Sequence, residues 1–516
     1  MVGAMSASAT NRLLAVEAVR WALAHGVAEV VLCAGARNLP LVAAWLGVPA
    51  VRVWHHPEER SAAFFALGRI QAGAGPVAVT VTSGTAAAEL LPAAIEGHLQ
   101  GLPLLLLTAD RPRQFRGSAA PQTILQPGLF GVYAPTMADA SCAADLAPAR
   151  WGRDGPAHLN LCFGEPLVEG IGDWEAPARP EPAGCVEIPS ADWDGFGEGG
   201  RLLVAVGKLD PAERDPVAVF LRDLGAPVWV ESTSGLWGDP RLDNLRVRHA
   251  GRVLAAGATH VLRLGGVPCG RFWRDLEERP DVRVRSVSRQ GWRGLGREAE
   301  AVKAGLEGLR DWHPRPSPAL AAWTRTVREN QPPEPVGCSR DQPLTEQILY
   351  GEIARRVAPG TRVFLGNSLP IRCWQAQAPW RPGPLCFANR GANGIDGEVS
   401  SFLGVAEGAD EAWGIFGDLT ALYDLAAPWV VRQMAPLRLR IVVVNNRGGG
   451  IFARLPAVAA APPAARRAVC NAHDLSFRAW AGLWGFGYRG VRRPADLDGL
   501  PDGPVVVEAI PGMGIG

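Results

Sequence analysis

The chain has 516 residues, 47% hydrophobic and 20% charged, a composition that excludes a disordered protein and a length beyond the ~250 to 300 residues of a single core. Its 52 Lys and Arg offset 51 Asp and Glu, so no overall field draws it to nucleic acid or an anionic membrane, and anionic ligands must meet locally placed arginines. Nine cysteines without a C-x-x-C pair read as reduced thiols in a cytoplasmic protein.

No uncharged apolar run reaches the ~18 to 20 residues of a membrane span. The N-terminal stretch is punctuated by Arg12, Glu17 and Arg20 and lacks the apolar core of a signal peptide. It reads as an amphipathic helix capped near Thr10 or Asn11 and stopped by Gly26. Short aliphatic runs follow in AEVVLCAG, VRVWHH, PVAVTVTS and LPLLLLTAD, separated by helical stretches such as RSAAFFALGRIQAG and GTAAAELLPAAIEGHLQG. A fourth helix-rich stretch is expected before the strand in GPAHLNLCFGEPL. This alternation predicts parallel strands with crossover helices.

The proline-dense EAPARPEPAGCVEIPS reads as a linker to a second α/β unit, which opens at RLLVAVGKLD and continues through THVLRLGG and DVRVRSVS. HPRPSP and NQPPEPVGCSRDQP bracket the passage to a third, with strands in RVFLGNS, LCFANR, AWGIFGD, LRLRIVVVNN and PVVVEAI. The expected architecture is three α/β domains, each a doubly wound parallel sheet, over residues 1–180, 198–312 and 343–516. The sequence stops at VVVEAIPGMGIG, before a final helix expected after that strand.

In the third domain, AWGIFGD reads as a strand ending at Gly417-Asp418, LTALYDLAAPWVVRQM as a crossover helix and LRLRIVVVNN as the next strand. Ligands of open parallel sheets sit outside the carboxyl ends of the strands, so Asp418 and Asn446 are expected on one edge. A carboxylate and an amide oxygen form a hard-oxygen pair suited to Mg²⁺, which takes its remaining ligands from phosphates and water. The glycines after Asn446, Gly448 among them, let a backbone group approach closely. Either half alone would read as a helix cap or a flexible turn. In the first domain Glu58 and Glu59 open a helix after a strand, and composition cannot choose between them; an acid in a first turn complements the helix dipole whatever its role. His55 and His56, adjacent on a strand, face opposite sides and make poor joint metal ligands.

The Gly-Asp opening and Asn-Asn close resemble the magnesium-diphosphate motif of thiamine-diphosphate enzymes, with Gly-Asp-Leu where Gly-Asp-Gly is usual. Within that family, AGARNLP, HPEERSAAFFALG, VTSGTAAAELLPAAIEG, LLLLTADRPRQ, QTILQPGLF, VFLGNSLPIR, NRGANGIDGEVS, GDLTALYDL and VVVNNRGGGIF resemble the SEPHCHC synthases of the menaquinone pathway. The resemblance implies a cytoplasmic transferase that uses thiamine diphosphate and Mg²⁺, with Mn²⁺ as an alternative. Its reaction would be decarboxylation of 2-oxoglutarate and addition of the resulting unit to isochorismate, with release of CO₂. It also implies a pyrimidine-binding first domain, a central domain and a diphosphate-binding third domain. Sites would lie between subunits of a homodimer or homotetramer, with Glu59 from one and Asp418 from another. Two other readings stand beside it: a different thiamine-diphosphate 2-oxoacid decarboxylase or carboligase, and a catalytically silent homologue.

By the same resemblance, Glu59 is the catalytic carboxylate against the aminopyrimidine ring. Ser83, Gly84, Asn367, Ser368, Ile395, Gly417, Asp418, Leu419 and Asn446 join Glu59 in contacting the cofactor, Ile395 propping its bent shape, while Asp418, Asn446 and Gly448 hold the metal. Both substrates are anions, which a neutral protein must meet with guanidinium groups. Arg372 and Arg390 match residues that hold the succinyl carboxylate, and Ser368 lies near the reacting centre. Arg37, Arg111 and Gln122 match groups facing isochorismate, and Arg271 falls where relatives carry a lysine. The chain departs from the pattern at Ala36, where relatives have serine, and at Pro121 and Leu125, where relatives tend to be polar.

Overall fold

The computed structural model describes residues 6–168, 189–191, 194–197, 199–335, 337–453 and 455–512. The linker read at 175–190 lies almost wholly outside the described residues, as do Cys185 and the chain end from residue 513. The chain forms two compact units, one of Met1–Val186, Gly391–Gly408 and Thr420–Pro436, the other of Glu187–Arg390, Ala409–Leu419 and Leu437–Gly516.

In the first unit, strands β1 (Glu29–Cys33), β2 (Arg52–His56), β3 (Val77–Val81), β4 (Leu104–Asp110), β5 (Thr136–Ala140) and β6 (Ala157–Cys162) form a sheet ordered β2-β1-β3-β4-β6-β5. Every pairing is parallel. All residues of β1, β3, β4 and β6 are buried, as a sheet covered on both faces requires. The first helix spans Ala7–Ala24 and is capped by Ser6, not by Thr10 or Asn11, because the Ser6 hydroxyl accepts from Ala9 N at 3.2 Å. Asn11 is instead buried, its amide donating to the carbonyls of Gly164, Pro166 and Leu167. Gly26 ends the helix region at φ +84°. The stretch before β6 is not helix-rich: it contains two short 3₁₀ turns, Arg113–Phe115 and Ala143–Leu146, and the edge strand β5. Pro112, Gly117, Pro121, Pro127, Gly128, Gly131 and Pro135 interrupt any continuous helical ladder there.

Two helices of this unit, Glu59–Gln71 and Glu398–Ala406, cross with their backbones in contact. A Cβ placed at Gly68 would lie 2.0 Å from Ser401 O, and one at Gly404 would lie 2.2 Å from Phe65 O. Ser401 Oγ donates to Phe64 O at 3.0 Å and Arg69 Nη1 to Gly404 O at 3.2 Å. Beneath the crossing, the fully buried Asp424 carboxylate accepts from Ser400 N at 2.7 Å, Ser400 Oγ at 2.9 Å and Ser61 Oγ at 2.8 Å.

A second buried polar chain runs through the first sheet. Thr108 Oγ1 donates to Asn160 Oδ1 at 2.9 Å, so toward His158 Nε2, 2.7 Å away, it accepts. The imidazole is therefore the Nε2–H tautomer, and its Nδ1 takes the Thr136 hydroxyl at 3.1 Å. With both ring nitrogens engaged in the neutral form, burial pushes the His158 pKa down to about 3.

In the second unit, β7 (Leu202–Val206), β8 (Val228–Val230), β9 (His260–Leu264), β10 (Arg283–Ser288) and β11 (Glu300–Lys303) form a parallel sheet ordered β11-β10-β9-β7-β8. Strands β12 (Arg362–Leu365), β13 (Leu385–Phe387), β14 (Glu411–Gly417), β15 (Arg438–Val444), β16 (Gly487–Val491) and β17 (Val505–Ala509) form another, ordered β13-β12-β14-β15-β17-β16. The three parallel sheets with interleaved helices are the α/β fold read from the sequence. The crossover after β14 is not one helix: a short helix, Asp418–Tyr423, is followed by a 3₁₀ segment, Ala427–Gln433, with Pro428 in its first turn. One apolar core spans both sheets of this unit. They are joined by Trp237 Nε1, which donates to Pro379 O at 3.0 Å, and by Arg248, which donates to Ala376 O at 3.1 Å and Ala378 O at 3.0 Å.

Two outcomes are expected. Gly68→Ala or Gly404→Ala pushes a methyl into a facing backbone and lowers stability by about 3 kcal/mol or more. Gly482→Ala, where nothing lies within 4 Å of the new methyl, stays near wild type; denaturant midpoints compare the three. A histidine depressed in the fold contributes stability above its unfolded pKa that is lost as pH falls through 6.5 toward its folded value. Lowering pH from 7.5 to 5.5 therefore removes about 1.4 kcal/mol through His158. His158→Gln lacks this increment, so the gap between the two proteins' stabilities shifts by that amount.

Candidate active site

Glu58 and Glu59 separate in role once folded. Glu58 is the N-cap of helix Glu59–Gln71: its carboxylate accepts from Arg60 N and Ser61 N, each at 3.0 Å. Capping of this kind satisfies donors the helix cannot. Glu59, the first helical residue, keeps a half-buried carboxylate beside its own backbone N–H. Burial, with the like charges of Glu58 and Glu89, raises the Glu59 pKa. The Cys33 thiol at the end of β1 is raised by burial and by the charges of Glu59 and Glu58, placing it against the same group. His55 is exposed and His56 buried, the opposed pair expected of a strand.

Beyond β3, Ser83 is buried and its Oγ has no hydrogen-bond partner. Gly84 adopts φ +83°, and a Cβ there would lie 3.1 Å from Gln122 Cα, so the 83–84 loop touches the loop of Gln122. Gly84 N donates to Gln126 Oε1 at 3.0 Å, and the buried Gln126 amide donates in turn to Asn160 Oδ1 at 2.7 Å and Ala109 O at 3.2 Å. Arg37 is engaged inside the unit, donating to Phe163 O at 3.1 Å and pairing with Glu165 at 2.9 Å. Arg111 lies 5.4 Å over the Phe115 ring. Ile395 is half-buried two residues before Gly397, whose Cβ position would fall 1.9 Å from the Phe64 ring. The buried Glu96 accepts from Gly391 N at 2.6 Å and Ala392 N at 2.7 Å, fixing that loop. Among the described residues, Asp110, Asp139 and Cys162 stand close enough to share a metal. Arg116 already fills their centre, 2.9 Å from Asp110 and 2.7 Å from Asp139.

The second unit gathers the other predicted residues. Strands β12, β14 and β15 are neighbours, and Asn367-Ser368, Gly417-Asp418-Leu419 and Asn446 follow their carboxyl ends. Asp418 is 2% exposed. Its Oδ1 accepts from Leu419 N at 2.7 Å and its Oδ2 from Gly448 N at 2.8 Å, with His473 Nε2 at 3.3 Å. Asn446 donates through Nδ2 to Glu346 at 2.8 Å, whereas its buried Oδ1 has no hydrogen-bond partner. At Gly448, φ is +128° and a Cβ would lie 2.5 Å from Cys470 O, so only glycine fits. A buried carboxylate, an amide oxygen without a donor and a glycine backbone fit a hard cation bearing a diphosphate.

Ser368 holds φ +68° as the N-cap of helix Leu369–Gln377, a conformation rare outside glycine and concentrated at functional sites. Asn367 donates to Asn389 O at 2.8 Å and accepts from Arg390 Nη1 at 2.8 Å. Partial burial and the like charge of Arg390 lower the Arg372 pKa. The fully buried Glu231, which accepts from Cys269 N at 3.1 Å, feels the charge of Arg390. Arg271 is not drawn to this pair: it is 92% exposed beside Asp275, and it is Arg274 whose charge reaches Arg372. Glu96, Gln126, Glu231, Glu346 and His473 were not singled out by sequence; the only signal for the first three was a polar residue inside an otherwise apolar run.

Residues 16–129 match the family described as "Thiamine pyrophosphate enzyme, N-terminal TPP binding domain". The 2-succinyl-5-enolpyruvyl-6-hydroxy-3-cyclohexene-1-carboxylate synthase of Akkermansia muciniphila is 40% identical over 94% of this chain and 93% of its own. Its namesake in Bdellovibrio bacteriovorus is 38% identical over 93% and 92%, and that of Geobacillus kaustophilus 34% over 84% and 82%. Identity of this order along most of both chains means that the chain belongs to the 2-succinyl-5-enolpyruvyl-6-hydroxy-3-cyclohexene-1-carboxylate synthase family of thiamine pyrophosphate enzymes.

Proposed function

We propose that the protein decarboxylates 2-oxoglutarate and adds the resulting unit to isochorismate, giving the product named in its relatives, with thiamine diphosphate and Mg²⁺ or Mn²⁺ as cofactors. The observation that carries this reading is the arrangement at the ends of β14 and β15. There Asp418, Gly448 and the unpartnered Asn446 oxygen offer what a metal-held diphosphate needs. The first sheet would then be the pyrimidine-binding domain, the second the central domain and the third the diphosphate-binding domain. Two copies of the chain would complete each site, in a dimer or tetramer. Among the described residues no helix is long and apolar enough to cross a membrane.

Thiamine diphosphate supplies the electron sink for breaking and making the carbon–carbon bonds. The chain's own share is binding, orientation and one proton. Glu59 would hold that proton at its carboxyl against the aminopyrimidine ring, and burial with the like charges of Glu58 and Glu89 raises its pKa, the direction a proton-transfer carboxyl needs. Ser83 Oγ, Gly84 and Ile395 line the cofactor's position. Arg372 and Arg390 receive the far carboxylate of 2-oxoglutarate with Ser368 close by. Arg37, Arg111 and Gln122 face isochorismate, with Arg271 free to swing toward it. Arg37 must exchange Glu165 for the substrate carboxylate.

Two measurements test this. With Mg²⁺ and thiamine diphosphate present, 2-oxoglutarate drives loss of isochorismate absorbance and pyruvate does not. Glu59→Gln slows that loss by about 10² to 10⁴-fold, as removal of a proton-transfer group does. Thiamine diphosphate with Mg²⁺ at 100 times the dissociation constant stabilises the wild type by about 2.7 kcal/mol. The thermal shift is absent in Asp418→Ala and after removal of the cation by EDTA.

A further inference from the structure

We propose that Glu346 is a positioning residue for the divalent cation, fixing the Asn446 amide so that Oδ1 and not Nδ2 faces the ion. This rests on Asp418, Asn446 and Gly448 as the cation's ligands. A side-chain amide can turn over, exchanging an acceptor for two donors, and a donor facing a cation is repelled. Glu346 removes that freedom. A carboxylate only accepts, and its Oε1 lies 2.8 Å from Asn446 Nδ2, so the NH₂ group is committed to it and Oδ1 is turned away. Oδ1 is buried and has no hydrogen-bond partner.

Gly450 closes the other side of the amide: a Cβ there would lie 2.7 Å from Asn446 Nδ2 and 3.1 Å from its Cγ. The side chain lies between a carboxylate and a glycine whose added Cβ would displace the amide. Glu346 is itself placed by a capped helix end. It is the first residue of helix Glu346–Arg356, whose N-cap Thr345 accepts from Ile348 N at 3.2 Å. Sequence distance hides the relation, since Glu346 and Asn446 meet only because that helix packs in the same unit as β15. Partners that orient a metal ligand in this way commonly govern 10 to 100-fold in metal affinity.

The test titrates Mn²⁺ into the full-length protein with thiamine diphosphate and follows free ion by its electron paramagnetic resonance. Glu346→Ala is expected to weaken Mn²⁺ binding by about 10 to 100-fold. Glu346→Gln, whose amide oxygen accepts the same bond, keeps most of the affinity. Glu346→Asp retains the charge but falls one methylene short of Asn446, so it loses affinity like the alanine variant and carries the test should that variant fail to fold. Unchanged affinity in the alanine and aspartate variants overturns the inference, as does a loss in Glu346→Gln as large as in Glu346→Ala, while the cation reading survives either result. If wild type takes up no Mn²⁺, or if Asp418→Ala takes it up as well as wild type does, the cation reading falls and this inference with it.

Discussion

The backbone-to-backbone crossing of helices Glu59–Gln71 and Glu398–Ala406 governs the first unit. Helices normally stand 8–10 Å apart, held off by side chains; here Gly68 and Gly404 let each helix press on the other's main chain. Such proximity fixes the crossing geometrically, because neither helix can slide without driving a neighbouring carbonyl into a Cα. Asp424, Ser61 and Ser400 then lock the same region with charge-assisted hydrogen bonds in the interior. The consequence reaches function at the helix ends. Glu59 opens one helix, and Ile395 and Gly397 lead into the other, Gly397 lying against Phe64 of the first. An acid and an isoleucine that belong to distant parts of the sequence are carried by one close contact.

The second unit solves a different placement problem by topology. In the order β13-β12-β14-β15, the chain turns outward after β12 and resumes on the other side with β14. The crevice at such a reversal is where open parallel sheets bind ligands. Asn367 and Ser368 leave β12 and Asp418 leaves β14, so they flank that crevice, and Asn446 follows from the next strand. The strained backbone of Ser368 sits where it is over-determined by a strand on one side and a helix on the other, the condition under which strain persists.

Legibility in the sequence followed the strength of the local signal. Buried parallel strands are nearly continuous aliphatic runs, so β1, β3, β4, β14, β15 and β17 stood out. The edge strands β5, β11 and β16 carry polar residues and glycines and did not. The supposed crossover helix after Asp418 had helical periodicity, but Pro428 restarts the chain as a 3₁₀ segment. Within the candidate site, Asp418 and Asn446 were visible because the motif the chain resembles places such residues at strand ends. Glu58 and Glu59 were indistinguishable in composition because their difference is one of geometry: the N-cap residue has extended backbone and points its carboxylate back at the helix N–H groups. Its neighbour is already helical and points elsewhere. Glu96 and Glu231 were missed because a buried acid announces itself only through the partners that pay its desolvation, and those lie far off in sequence.

On the proposed reading, the near-neutral charge of the whole chain and two anionic substrates are reconciled by local imbalance. Arg372 and Arg390 stand close enough to depress one pKa, and Arg274 adds to the same field. The buried Glu231 feels the charge of Arg390, but burial raises its own pKa. An arginine cluster with too few acids is costly in the absence of an anion, since like charges in a poorly solvated place repel. The same imbalance favours a ligand whose far carboxylate supplies the missing charge, and it disfavours a 2-oxo acid that lacks this second carboxylate. Asn367 adds direction to this field: by accepting from Arg390 Nη1 while its own amide is tied to Asn389, it sets the plane of the guanidinium. On the proposed reading, selectivity between two small acids rests on arginine charge held in a fixed orientation, which a chain of near-neutral net charge can supply locally.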